Sequence, residues 1–190
     1  MSYVAACIVA YLLGSIPVSL LVARHYGVDL RATADGNPGA WNALEQLGAR
    51  RAWPAFAGDG LKGTAAGLAG IAIGDVWTGY AAVGAAMLGH AFPVFAGFRG
   101  GKAVMTFAGG MFAVAPLPAA VALALCAVVA LATRSFAWGA RVGVFGFPLV
   151  QLALDPGGPE RVAATGALMC LIGVRFLGAR AGAHAGEEAR

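Results

Sequence analysis

Long apolar runs separated by short polar breaks dominate this chain and leave few folds open to it. A residue set that is 59% hydrophobic and only 12% charged, with a mean hydropathy of +0.76, excludes an ordinary soluble domain. It points to an all-α integral membrane protein, because a helix satisfies its own backbone groups in lipid. Periodicity carries no signal where nearly every position is apolar, so the polar breaks place the helices. They predict about seven transmembrane helices, over residues 3–23, 53–73, 77–97, 103–115, 118–133, 136–153 and 161–178. The fourth is shorter than the roughly 20 residues of a typical span and is read as tilted or half-buried within the bundle. No second domain, linker or internal repeat interrupts this pattern, so residues 1–190 are expected to form one membrane-embedded domain.

Charge then gives an orientation. Arg24, Arg31, Arg50, Arg51, Arg99, Lys102, Arg134, Arg180 and Arg190 all fall on one side of the predicted spans. The other side has Asp75, Asp155 and Glu160 against Arg161. The positive-inside rule therefore puts the N-terminus outside and the C-terminus in the cytoplasm. The first apolar run lacks a preceding cation and is broken by Gly14, Ser15 and Pro17, so it is expected to be a retained helix rather than a secretory signal. Cys7, Cys126 and Cys170 lie inside apolar segments without paired spacing, which argues against a disulfide framework and against a metal site.

The polar residues between and within the spans are the candidates for chemistry. In residues 89–104, GHAFPVFAGFRGGKAV, the adjacent Gly100 and Gly101 can turn successive N–H groups into one concavity, and Lys102 adds a charge where the next helix begins. This is a candidate phosphate cradle, although a Gly-rich basic turn is also ordinary for a membrane protein. His90, just upstream, can titrate near neutrality or simply pack. Asp59 and Lys62 are three residues apart on one helix face, at a depth where unpaired charge is costly, so they should pair or face a polar cavity. Pro17 removes a backbone hydrogen bond and leaves carbonyls for a neighbour or a ligand. The loop at residues 28–48 is too long for an idle connection. There Asn37 and Asn42 offer amides, and Gly36, Pro38 and Gly39 let the backbone turn closely around a small polar ligand. Arg134 ends the fifth span beside Thr133, whereas Arg141 within the sixth must snorkel or turn inward.

Taken together, GSIP, DLR, GNPGAWN, DGLKG and GHAFPVFAGFRGGKAV resemble the bacterial acyl-phosphate:glycerol-3-phosphate acyltransferase family, the PlsY type, over most of the chain. The resemblance implies acyl transfer from acyl phosphate to the 1-hydroxyl of glycerol 3-phosphate, giving lysophosphatidic acid for phospholipid synthesis at the cytoplasmic face of the bacterial inner membrane. It implies no metal and no cofactor. The partners are the two small substrates and membrane lipid, with no nucleic acid. Carried over by position, His90, Lys102 and Asn42 are the implied catalytic residues. Ser15, Asn37, Gly39, Asp59, Lys62, Gly100, Gly101 and Arg134 are the implied substrate and phosphate ligands.

Several positions depart from the family pattern. Its GSGN reads Ala34, Asp35, Gly36 and Asn37 here, and an expected Arg is Glu45, so the phosphate pocket is predicted to be more negative than usual. Ala103 ends the GGKG pattern, Ala137 replaces a serine, and Phe176 and Ala179 stand where a His and an Asn are expected. These losses keep open an alternative: a diverged, catalytically impaired member that binds lipid or a protein partner, or acts on a different acceptor. Intramembrane charges would also suit a small transporter, but no inverted repeat supports that class.

Overall fold

The structure, a computed structural model, describes residues 3–188, with side chains described up to residue 178. Arg180 and Ala179 lie outside the described side chains, and Arg190 outside the described residues. The helices are α1 (Tyr3–Gly14), α2 (Val18–His25), α3 (Ala40–Leu47), α4 (Ala49–Ile73), α5 (Val76–Ala91), α6 (Val104–Val114), α7 (Pro116–Thr133), α8 (Phe136–Phe145), α9 (Phe147–Leu154) and α10 (Gly158–Glu188). No strand occurs among the described residues.

Seven transmembrane helices are too many by length and apolarity. Among the described residues four stretches qualify, Tyr3–His25, Val76–Ala96, Pro116–Thr133 and Gly158–Gly178, and a fifth if α8 and α9, bent by 45°, form one broken span. The segment predicted at 103–115 forms an 11-residue helix, about 16 Å long against a hydrocarbon core of about 30 Å. The segment at 53–73 lies within the 25 residues of α4, but its apolar content is diluted by Asp59, Lys62 and glycines. That dilution is tolerable because α4 packs against α1, α2, α3, α5 and α6. Asp59 and Lys62 face these neighbours, while the outward face keeps the apolar Trp53, Leu61 and Leu68.

Small residues bring the helices together. A side chain at Gly14 would strike the Ala86 backbone, and one at Gly89 would strike the Tyr11 carbonyl, so α1 and α5 approach to backbone contact. Gly63 and Gly109 do the same for α4 and α6, where Thr64 Oγ1 also donates to the Gly109 carbonyl at 2.7 Å. Such contacts replace hydrophobic driving force with close packing inside lipid. Bulk is supplied by a cluster of Val83, Met87, Phe107, Met111, Phe147 and Ile172. A second cluster, including Leu20, Leu30, Ala43 and Ala55, seats the loop before α3 onto α2 and α4.

Two breaks shape the polar end of the bundle. At Ser15–Pro17 the chain leaves α1 and restarts as α2, because Pro17 has no N–H to continue the ladder; the Ser15 hydroxyl donates back to the Tyr11 carbonyl at 2.9 Å. The Ile16 carbonyl at this break accepts from the Val18 N–H at 3.0 Å and from Lys62 Nζ at 3.0 Å. Between α5 and α6 the chain turns through a 3-10 segment, Val94–Ala96, and Gly97 at φ +64°.

Candidate active site

Four helical side chains form a buried polar core beneath this turn. Asp59 of α4 accepts from Ser19 Oγ of α2 at 2.6 Å and lies 2.9 Å from Lys62 Nζ, one turn along α4. His90 Nδ1, from α5, is 3.5 Å from the same carboxylate oxygen. The Lys62 contact is an ion pair rather than an aligned hydrogen bond, so neither Asp59 Oδ1 nor His90 Nδ1 has a hydrogen-bond partner among the described residues. Asp59, Lys62 and His90 are 1%, 5% and 8% exposed, so no substrate reaches them without rearrangement. They line a void of about 10 Å³ together with Gly100 and Gly101, roughly the room one water needs.

The loop at residues 29–39 is shaped by Asn42. Its buried amide donates to the carbonyls of Leu30, Thr33 and Asn37 at 2.9, 3.2 and 3.1 Å, and its oxygen accepts from Thr33 Oγ1 at 3.3 Å. This side chain is committed to holding the loop and lines neither cavity. Gly39 caps α3 and donates its N–H to the Asn37 carbonyl at 2.9 Å. The result is that Asp35, Gly36, Asn37 and Pro38 face a second, larger cavity.

Two arginines grip the glycine turn, one from the loop before α3 and one from α10. Arg31 Nη2 donates to the carbonyls of Ala96 and Arg99, the latter at 3.2 Å. Arg175 of α10 donates to the carbonyls of Gly100 and Gly101 at 2.8 and 3.3 Å. The expected cradle of two free N–H groups is corrected here, since the Gly101 N–H is already bonded to the His90 carbonyl at 3.1 Å. Glycine is required for a different reason. A Cβ at Gly100 would meet the His90 carbonyl, and one at Gly101 would meet the His90 ring.

The larger cavity, of about 290 Å³, lies between these loops and is lined by Arg31, Arg99, Arg175, Asp35, Asn37 and Phe98 among others. Lys102 reaches it through Asp35, with Nζ 2.8 Å from Oδ2. Partial burial alone would raise the Asp35 pKa, but the Lys102 hydrogen bond, the Asn37 N–H and the Lys102 charge together hold it below the usual carboxylate range. Three guanidiniums line the cavity against one carboxylate, itself paired, a charge balance that suits an anion. Among the described residues the Arg99 side chain carries no hydrogen bond or ion pair, which leaves a charge for a ligand.

Of the residues singled out from sequence, Asn37 and Gly100 line the larger cavity, and Asp59, Lys62, His90, Gly100 and Gly101 the smaller. Ser15, Gly39 and Asn42 hold backbone. Arg134 is exposed at the end of α7 in a left-handed conformation and lines neither cavity. Glu45 does not add negative charge to the pocket as expected, because it turns back to accept from Trp41 Nε1 at 2.7 Å on the exposed side of α3. Arg141 lies over the Trp138 ring at 5.0 Å. Sequence reasoning missed Arg31, Arg99 and Arg175 as site residues. Arg175 offered the best signal, a cation inside an apolar span where isolated charge is costly.

Comparison with known proteins gives a consistent result. A protein of Geobacter sulfurreducens named glycerol-3-phosphate acyltransferase is 43% identical over 150 residues, 77% of this chain and 76% of its own. One of the same name from Clostridioides difficile is 39% identical over 158 residues, 80% of this chain and 78% of its own. The crystal structure of PlsY (YgiH), an integral membrane glycerol 3-phosphate acyltransferase, in its glycerol 3-phosphate form matches with a TM-score of 0.83 at 30% identity, covering 98% of this chain and 94% of that one. Its lysophosphatidic acid form matches with a TM-score of 0.79, also at 30% identity, over 92% and 88% of the two chains. The family described as glycerol-3-phosphate acyltransferase matches residues 4–180, and with the fold and these relatives in agreement the chain belongs to that family.

Proposed function

We propose that this integral membrane protein transfers a fatty acyl group from acyl phosphate to the 1-hydroxyl of glycerol 3-phosphate, releasing inorganic phosphate and lysophosphatidic acid. The observation that carries the reading is the cavity lined by Arg31, Arg99 and Arg175 beside the Gly100–Gly101 turn, in a chain of this family. Both substrates bring a phosphate. At about 290 Å³ the cavity lies near the lower end of ligand-site sizes, which suits polar headgroups and leaves the acyl chain in lipid.

The acceptor oxygen forms a bond to the acyl carbon as the bond from that carbon to the phosphate oxygen breaks. The acceptor proton passes to a phosphate oxygen. Acyl phosphate already carries a good leaving group, so the chain needs no nucleophile of its own. What the residues contribute is placement of two anions side by side and stabilisation of charge on the departing phosphate. Arg99 meets the anion directly. Arg31 and Arg175 act both on the anion and on the loop carbonyls. Asp59, Lys62 and His90 support the turn from beneath. The arginine-bearing loops belong at the cytoplasmic face, with the N-terminus outside.

The test is product formation by purified protein supplied with acyl phosphate and glycerol 3-phosphate. Lysophosphatidic acid is expected, and Arg99→Ala should raise KM for glycerol 3-phosphate by about 10- to 100-fold, matching loss of one charge-assisted contact of about 1.5–3 kcal/mol. No product at high enzyme concentration, alongside an active relative, refutes the reading.

A further inference from the structure

Lys102 is surrounded in a way its basic neighbours are not. Asp35 Oδ2 lies 2.8 Å from its Nζ on one side, and the Phe176 ring centroid lies 4.5 Å from it on another. The Asp35 carboxylate is itself anchored, because the Asn37 N–H donates to its other oxygen at 3.1 Å. The carboxylate therefore presents Oδ2 to the ammonium from a fixed loop. The Lys102 side chain is 17% exposed, whereas that of Asp35 is 43% exposed. The cation is covered and its partner remains open to the cavity.

Both covering residues depart from the family resemblance, in which a serine and a histidine are expected at these places. Serine would offer a neutral hydroxyl and histidine a polar ring. Here a carboxylate sits in the hydrogen-bonding position a phosphate oxygen would need, and an apolar ring takes one face of the cation.

We propose that Asp35 and Phe176 hold Lys102 as an internal ion pair, so that a phosphate dianion gains Lys102 only by displacing Asp35, and that these two residues set how strongly this chain discriminates for phosphate-bearing ligands. The proposal rests on the acyltransferase reading above and adds an order of events at the same site. The dianion meets Arg99 first, since that exposed guanidinium has no partner among the described residues, and exchange at Lys102 follows. Asp35 opposes binding twice, by occupying the ammonium and by repelling the anion.

The experiment is calorimetric titration of the full-length protein in detergent with inorganic phosphate and, separately, glycerol 3-phosphate. Asp35→Ser and the shape-preserving Asp35→Asn should each tighten binding on the order of 10-fold, from loss of one partly screened pair and one like charge. In a Lys102→Met background the gain from Asp35→Ser should fall to about 3-fold or less, because only the repulsion remains. Phe176→His should tighten binding by about 2- to 5-fold, the scale of one cation–π contact. Unchanged or weaker binding in both Asp35 variants overturns the proposal, and so does an equal gain in the Lys102→Met background. Lysophosphatidic acid formation by the same preparations keeps the two ideas apart. Product formation with KM unchanged in Asp35→Ser overturns the ion-pair proposal alone, whereas tightened binding with no product from any variant overturns the acyltransferase reading alone.

Discussion

Replacing Asp59 by asparagine should be among the most damaging changes of a single side chain in the molecule. The substitution preserves shape but leaves Lys62, 5% exposed, with the Ile16 carbonyl at 3.0 Å as its remaining close partner. Breaking one side of a buried ion pair costs about 3–5 kcal/mol, because the other charge stays desolvated. At about 2–4 °C per kcal/mol for a chain of this size, the melting temperature should fall by roughly 6–20 °C. Lys62→Met should cost less, since Asp59 keeps Ser19 at 2.6 Å and has His90 at 3.5 Å. The double variant Asp59→Leu with Lys62→Met removes both charges and should melt above Asp59→Asn. Thermal unfolding in detergent followed by circular dichroism measures all three. If Asp59→Asn melts within about 2 °C of the parent, or the double variant melts no higher than Asp59→Asn, the pair is not a coupled buried unit.

Two further outcomes follow from backbone strain and from a second carboxylate. Ala34 and Ala103 have φ of +49° and +59°, a conformation that costs an L residue about 1–2 kcal/mol. Ala34→Gly, at an exposed site, should stabilise by about 0.5–1 kcal/mol after the extra entropy of glycine. Ala103→Gly should gain little in the same melting assay, because it also loses a methyl that is 1% exposed, worth about 0.8 kcal/mol. Asp155 would be raised by its burial, but the Gly157 N–H, Gln151 and Arg161 outweigh this and hold its pKa below the usual 3.8. Its stabilisation is therefore complete above that value and is lost as pH falls through the depressed folded pKa. Asp155→Asn should cost about 1–3 kcal/mol at neutral pH, and the acid-induced drop in melting temperature below about pH 4 should be smaller than in the parent.

The sequence made local relations visible and long-range ones hard to see. Asp59 and Lys62 could be paired on paper because three residues on a helix bring side chains together, and Pro17 marked a break because its ring forbids the ladder. Polar punctuation marks where helices stop but not how apolar they are in between; α4 is long, yet Asp59, Lys62 and its glycines keep it below the apolarity of a span. Asn42 looked like a ligand-facing amide, but its partners at Leu30, Thr33 and Asn37 depend on a loop path that periodicity does not report. Arg31, Arg99 and Arg175 are 68 and 76 residues apart in sequence; Arg31 and Arg99 sit at predicted membrane borders, where a cation reads as a topology signal, and Arg175 lies inside the last predicted span, where spacing does not reveal that it reaches the glycine turn. Glu45 was counted as pocket charge because its neighbour in sequence, the loop, faces the cavity, whereas its own helix turns it away.

The grip of Arg175 on Gly100 and Gly101 has a consequence for biosynthesis. Among the described residues, Arg31 and His90 hold the glycine turn from positions before it in the chain, while Arg175 belongs to α10 and emerges from the ribosome after α1 to α9. Until α10 inserts, two carbonyls of the turn lack their guanidinium and the cavity lacks one wall. A nascent chain can therefore place every earlier helix in the membrane with the turn still ungripped, and insertion of α10 doubles as the step that closes the cavity wall.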